Sequence, residues 1–169
     1  MPLGTHQATG MTILKTKAKR PSQSTPGPQT FQDEKLIRFH HCDPAGIIFY
    51  PQYFILFNEL VEDWFTRGLG VSFVDQVTKD RVSIPMGRVE CDFLAPSKIG
   101  DVLRFSLEVD RLGKSSIRLK IAVSRSDEVR VRALLTVVLA SLETLRSVPL
   151  SPDLRRRMER YLVPGEAGG

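Results

Sequence analysis

Residues 52–67, QYFILFNELVEDWFTR, place Phe54, Phe57, Val61, Trp64 and Phe65 at helical spacing. Tyr53, Ile55, Leu56 and Leu60 widen that apolar face well beyond the stripe of a surface helix, leaving Asn58, Glu59, Glu62, Asp63 and Thr66 as a polar strip. A helix apolar over most of its circumference is stable only when other protein encloses it. Pro51 suits its first turn, and Gly68 and Gly70 suit its end.

The rest of the chain supplies the enclosure as strands. Leu36, Ile37 and Phe39 suggest a short strand before the helix. After it, residues 82–94 are strand-like, with a phase shift from Val82 and Ile84 to Val89, Cys91 and Phe93. That shift, around Pro85, Met86 and Gly87, predicts a bulge or an edge interruption. Residues 103–109 alternate strictly, as do 117–124, with a turn at 112–115 between them. Residues 129–142 begin with alternation and pass into LLTVVLASL, the pattern of a central strand covered on both faces. Ser151, Pro152 and Asp153 open a short basic helix over 153–162. One buried helix and a succession of strands predict an α+β fold in which a strongly curved antiparallel sheet wraps the helix. Its open edges predict a homo-oligomer, a dimer or a dimer of dimers.

Charge and composition narrow the function. Of 24 basic residues, four (Lys15, Lys17, Lys19 and Arg20) fall within residues 1–30, which hold no acid; the remaining 20 face 19 acids. The body is therefore nearly neutral and lacks the basic face of a nucleic-acid binder. Residues 1–30, ending in PSQSTPGPQT, read as a flexible extension, 31–162 as one domain and 163–169 as a flexible tail. No apolar run is long enough to span a membrane. Two cysteines, Cys42 and Cys91, make no disulfide framework in a domain this large, which points to a reducing, cytoplasmic setting.

The densest reactive cluster is His40, His41, Cys42 and Asp43, followed by Pro44, Ala45 and Gly46. Pro44 biases Asp43 to extended backbone, and Gly46 permits a tight path close to a ligand. Tyr50 then stands at the helix N-terminus, where free N–H groups and the helix dipole can stabilise an oxyanion. A carboxylate and an oxyanion site seven residues apart suit acyl transfer, with the carboxylate attacking a carbonyl or activating water.

HHCDPAGIIFYPQYFILFNE resembles the active-site segment of the 4-hydroxybenzoyl-CoA thioesterase family, acyl-CoA hydrolases of the hotdog fold. The family pattern is Asp-Pro-Ala-Gly, two or three apolar residues, then Tyr-Pro-Asn-Tyr at the helix start; here Gln52 replaces the Asn. The likeness extends more loosely through Gly100-Asp101-Val102-Leu103 and the Gly113-Lys114-Ser115 turn, covering roughly residues 31–145. It implies that Asp43 is the catalytic carboxylate and that Tyr50 N–H polarises the thioester carbonyl. Lys114 then falls where family members contact coenzyme A phosphates, and Asn58 where the helix lines the acyl end. The implied substrate is an acyl-CoA, aromatic (such as hydroxybenzoyl-CoA) or short-to-medium aliphatic, entering between subunits. No cofactor is implied beyond coenzyme A as part of the substrate.

Alternatives stay open at this point. Some hotdog thioesterases carry the acid on the central helix, which makes Glu59 the alternative catalytic residue. Cys42 points away from Asp43 on an extended segment and reads as a packed residue, and four consecutive side chains do not converge on one metal ion. An acyl-carrier-protein donor would favour a basic rim at Arg155, Arg156 and Arg157. A non-catalytic acyl-CoA-binding hotdog protein would not need Asp43 and Tyr50 together.

Overall fold

Residues 27–164 are described by the computed structural model. Strands β1 (Phe31–Leu36), β3 (Met86–Phe93), β4 (Val102–Leu112), β5 (Ser116–Arg125) and β6 (Glu128–Val138) form a five-stranded antiparallel sheet in the order β1-β4-β5-β6-β3. Two short strands, β2 (Val82–Ser83) and β7 (Ala140–Ser141), pair separately. Helix α1 (Pro51–Asp63) continues into a π-helical turn, Trp64–Gly68. Helices α2 (Phe73–Thr78) and α3 (Pro152–Glu159) are peripheral.

Alternation decides which face of the sheet meets the helix. Leu103, Phe105, Leu107 and Val109 of β4, with Ile117, Leu119, Ile121 and Val123 of β5, are all buried. They join Leu56, Phe57, Leu60, Val61, Trp64 and Phe65 of the central helix in one apolar core. The ring centroids of Phe57 and Phe105 lie 6.3 Å apart, edge to face. The antiparallel sheet on one long helix is the fold that the sequence predicts.

Several details differ from the sequence reading. The first strand is Phe31–Leu36, and Phe39 instead opens a 3-10 turn with 84% of its surface exposed. Ile55 lies on the polar strip and is 51% exposed, so it is not part of the buried face. The run over 129–142 divides into β6 and β7. Within this chain β6 is an interior strand, but it buries only one side: Val131, Ala133, Leu135 and Val137. The interruption at Pro85–Gly87 is real, since the β3–β6 register shifts between Met86 and Arg88, and β3 is an edge strand. Helix α2 is capped by Ser72, whose hydroxyl accepts from Asp75 N–H; it is too short for helical periodicity to reveal.

Of the expected extension over 1–30, residues 1–26 lie outside the described residues, as do 165–169 of the expected tail. At the boundaries, Gln29 N–H donates to Arg160 O at 2.7 Å and Val163 N–H to Val109 O at 2.9 Å. Both ends of the described chain therefore leave beside the later part of β4. Among the described residues no helix is long and apolar enough to cross a membrane.

Candidate active site

The segment His41–Phe49 is a miniature hairpin. Asp43 N–H donates to Ile47 O (3.0 Å), Gly46 N–H to Asp43 O (2.9 Å) and Phe49 N–H to His41 O (3.0 Å). Gly46 has φ +73°, so Asp-Pro-Ala-Gly makes a tight turn closed by a left-handed glycine. Asp43 stands at the head of that turn. Its Oδ1 accepts from Ala45 N–H at 2.8 Å, which orients the carboxylate and leaves Oδ2 without a hydrogen bond among the described residues.

A third row of backbone holds the hairpin in place. Ile48 N–H donates to Ser97 O (2.9 Å) and Ile99 N–H to Gly46 O (3.1 Å), with Ile47 bridged to Lys98. The third row is itself fastened by Asp101, which is 8% exposed. Asp101 Oδ2 accepts from Lys98 N–H (2.9 Å), and Oδ1 lies 3.2 Å from Arg125 Nε. The resemblance drew attention to Gly100 and Asp101; their work here is to anchor this row.

The hairpin delivers the chain directly to α1. Phe49, Gln52 and Tyr53 take the nearby backbone roles: Phe49 N–H bonds to His41 O, Gln52 N–H to Phe49 O and Tyr53 N–H to Tyr50 O. Tyr50 N–H is not used in these bonds, and Pro51 at the first helical position has no N–H. The first turn also holds no acidic residue to neutralise the positive end of the helix dipole. Tyr50 N–H is thus an available donor at an electropositive helix start.

Beside Tyr50 opens a cleft of about 290 Å³, lined among others by Ile48, Tyr50, Tyr53, Phe93, Pro96 and Ser97. Its wall is aromatic: the Phe93 ring lies 6.2 Å from Tyr50 and 5.6 Å from Tyr53, and Phe54 lies 6.5 Å from Tyr50. In the buried floor, Tyr53 Oη–H donates to Ser97 Oγ at 2.9 Å. Burial raises the Tyr53 phenol above its ordinary range despite that hydrogen bond. Behind it, Arg130 donates to Pro96 O (2.7 Å), while its carbonyl accepts from Leu94 and Ala95 N–H.

The structure therefore places Asp43 and Gly46 in the turn of one hairpin and Tyr50 where that hairpin runs into α1. Asn58 and Glu59 lie about 12–13 Å further along the helix than Tyr50, on its exposed strip. Glu59 accepts from Lys35 Nζ at 3.0 Å, within a surface network that also holds Asp33, Asp63 and Arg67. Lys114 is exposed in the β4–β5 turn, at the end of the sheet opposite Asp43. β4 spans 11 residues, so the two lie roughly 30 Å apart within one chain.

Neither thiol is set up as a nucleophile. Burial, then the Asp43 charge, raises Cys42, and burial above all pushes Cys91 up to about 11. His41 Nδ1 accepts from Arg38 N–H at 3.1 Å, and burial together with the His40 ring lowers its pKa, so it braces the turn as a neutral ring. Among the described residues no group of three His, Cys, Asp or Glu is placed to hold a metal ion. Tyr53 and Ser97 are absent from the sequence reading of the site. The strong apolar periodicity of the helix absorbs Tyr53 into the core, and nothing local distinguishes Ser97 from a loop serine.

A curved sheet around one helix, with a carboxylate turn feeding the helix start, defines a hotdog-fold thioester hydrolase. The chain belongs to the Thioesterase-like superfamily, whose model matches residues 37–158. It is similar to a 1,4-dihydroxy-2-naphthoyl-CoA hydrolase of Synechococcus elongatus, 25% identical over 127 residues that cover 74% of this chain and 92% of the relative. In structure it resembles a 1,4-dihydroxy-2-naphthoyl-CoA thioesterase from Synechocystis (TM-score 0.69, 20% identity, 77% of this chain and 96% of that one). It also resembles a variant of 4-hydroxybenzoyl-CoA thioesterase in complex with 4-hydroxybenzoyl-CoA (TM-score 0.71, 22% identity, 76% and 98%).

Proposed function

We propose that this protein hydrolyses an aromatic acyl-CoA to the free acid and coenzyme A, with Asp43 as nucleophile or general base and Tyr50 N–H as the oxyanion donor. One observation carries the reading: a single hairpin holds the Asp43 carboxylate at its turn and ends on the unneutralised N-terminus of α1. In the covalent route an Asp43 oxygen attacks the thioester carbon, the C–S bond breaks and the thiolate of coenzyme A leaves. Water then cleaves the mixed anhydride. In the general-base route Asp43 takes a proton from the water that attacks. In both, negative charge develops on the carbonyl oxygen, where Tyr50 N–H and the helix dipole stabilise it.

The aromatic wall of the cleft supports an aromatic acyl group over an aliphatic one. The names of the curated relative and of the two structural neighbours point the same way. An acyl-carrier donor is less well supported. Arg155 donates to Gly113 O, Arg157 to Leu69 O and Asp153, and Arg156 to Asp153, so these guanidinium groups are already engaged by the chain itself.

The reading includes a second copy of the chain. β3 is an open edge with Val89, Phe93 and the following Leu94 exposed. Antiparallel pairing of two β3 edges would set the beginning of one sheet against the end of the other. The partner copy's β4–β5 turn would then approach the Asp43 end, which is how Lys114 could reach the coenzyme A part of the substrate. A dimer, or a dimer of dimers, is expected by light scattering, and a monomer at working concentration contradicts this assembly. The free thiols Cys42 and Cys91 fit a reducing, cytoplasmic setting.

The test is a hydrolysis panel of benzoyl-, hydroxybenzoyl-, dihydroxynaphthoyl-, butyryl-, octanoyl- and palmitoyl-CoA, with thiol release as the readout. Aromatic esters should lead by at least tenfold in kcat/KM. Preference for an aliphatic chain would overturn the substrate class, and no release from any ester would overturn the activity.

A further inference from the structure

Two hydroxyls, Tyr53 Oη and Ser97 Oγ, meet at 2.9 Å in the floor of the cleft, with their residues 3% and 1% exposed. A pair of hydroxyls carries two protons, and one bond between them uses one. Neither hydroxyl makes another hydrogen bond among the described residues. Whichever oxygen donates to the other, one O–H remains unspent, and a buried unspent donor is costly. Both residues line the cleft, so a molecule filling it is the partner within reach.

We propose that the Tyr53–Ser97 pair is a specificity-determining donor that binds an oxygen substituent on the far end of an aromatic acyl group. The inference deepens the acyl-CoA hydrolase reading and rests on it. Geometry separates this donor from the reacting carbonyl. Asp43, Ile48 and Ser97 lie on successive rows of the small ladder. With a row spacing of about 4.8 Å, Ser97 backbone is roughly 10 Å from that of Asp43. Such a separation leaves room for a rigid ring whose thioester carbon faces Asp43 and whose oxygen substituent reaches the pair.

The surroundings keep the pair in place. Ser97 O accepts from Ile48 N–H, which ties the serine to the catalytic hairpin, and Tyr53 sits in the first turn of α1. The raised phenol pKa keeps Tyr53 protonated, and so a donor, across the pH range of a thioesterase assay. The Phe93 and Phe57 rings flank Tyr53 at 5.6 and 6.2 Å, which leaves its ring little freedom to turn away. A cavity built around such a donor discriminates strongly against a substrate that cannot satisfy it.

The double variant Tyr53→Phe/Ser97→Ala removes both hydroxyls and keeps the tyrosine ring. Its kcat/KM is compared with wild type on benzoyl-CoA and on 3- or 4-hydroxybenzoyl-CoA, whichever wild type turns over faster. Wild type should favour the hydroxylated ester by at least about tenfold, and the double variant should lose that preference because the hydroxylated ester loses about tenfold more kcat/KM than benzoyl-CoA does. Equal losses on both esters would mark the pair as structural, and an unchanged preference would place the specificity elsewhere; either result overturns the proposal. Calorimetric binding of the same two esters is measured in parallel. If wild type binds but hydrolyses neither, the hydrolase reading fails by itself. A hydroxyl preference in binding that the double variant loses would still support the donor, while equal binding of the two esters would overturn it.

Discussion

Arg157 Nη1 donates to the Leu69 carbonyl at 2.8 Å across 88 residues of sequence, and to Gly70 O at 3.3 Å. Arg160 Nη2 and Tyr161 Oη reach Gly68 O at 3.4 and 3.0 Å. The C-terminal helix thus caps the carbonyls that the central helix leaves exposed at its end, and it places positive charge at the negative end of the dipole. Arg157→Ala should lower stability by about 1–2 kcal/mol, reduced from the full worth of a charged hydrogen bond because the side chain is 39% exposed. Chemical denaturation measures the loss, and kcat should stay within about twofold because the cap lies at the other end of the helix from Tyr50.

This contact also shows where sequence reading stops. In sequence the run Arg155, Arg156 and Arg157 is only a basic stretch of a short helix, because nothing in it names carbonyls nearly ninety residues earlier. Trp64 and Phe57 were legible as core, since their burial follows from periodicity alone. The backbone placement of Asp43, Gly46 and Tyr50 was legible because it is local: a turn, a left-handed glycine and a helix start. Tyr53 and Ser97 meet across 44 residues, and long-range pairing of that kind leaves no trace in spacing. Phe39 failed as a strand residue because three residues of 3-10 turn break the alternation that would have buried it.

Glu59 is held by Lys35 in a surface network on the polar strip of α1. Burial alone would lower the Lys35 pKa, but the hydrogen bond and charge of Glu59, joined by Asp33, raise it above its ordinary value. A raised lysine pKa contributes stability that is present below the ordinary value and lost as pH rises through the raised one. Cys91, pushed up to about 11 by burial, acts in the same direction. Melting temperature should therefore fall as pH rises above about 9, first through Cys91 and then, above about pH 10.5, through Lys35 as well. Glu59→Gln should flatten part of that fall and cost under about 1 kcal/mol at neutral pH. Its kcat should remain within about threefold of wild type, and a loss of a hundredfold or more would move the catalytic acid onto the helix.

Lys114 is exposed and far from Asp43 in its own chain, so its effect should fall on binding of the coenzyme A portion. Lys114→Ala should raise KM by roughly threefold to tenfold with kcat little changed, and the difference should shrink at high salt. Mixing Lys114→Ala with Asp43→Asn protein tests the pairing of two copies. In a mixed dimer the site with an intact Asp43 takes its Lys114 from the Asp43→Asn copy, so wild-type KM should return in part. No recovery, with subunit exchange demonstrated, would contradict antiparallel pairing across β3.

The most direct test is Asp43→Asn measured beside wild type on the best ester of the panel. Asparagine keeps the size of the side chain and an oxygen that can accept from Ala45 N–H, so the turn should survive and the melting temperature should hold within about 2 °C. A catalytic carboxylate predicts that kcat falls by at least about a thousandfold while the variant still binds the ester. Retention of full activity by a correctly folded Asp43→Asn protein would contradict the assignment.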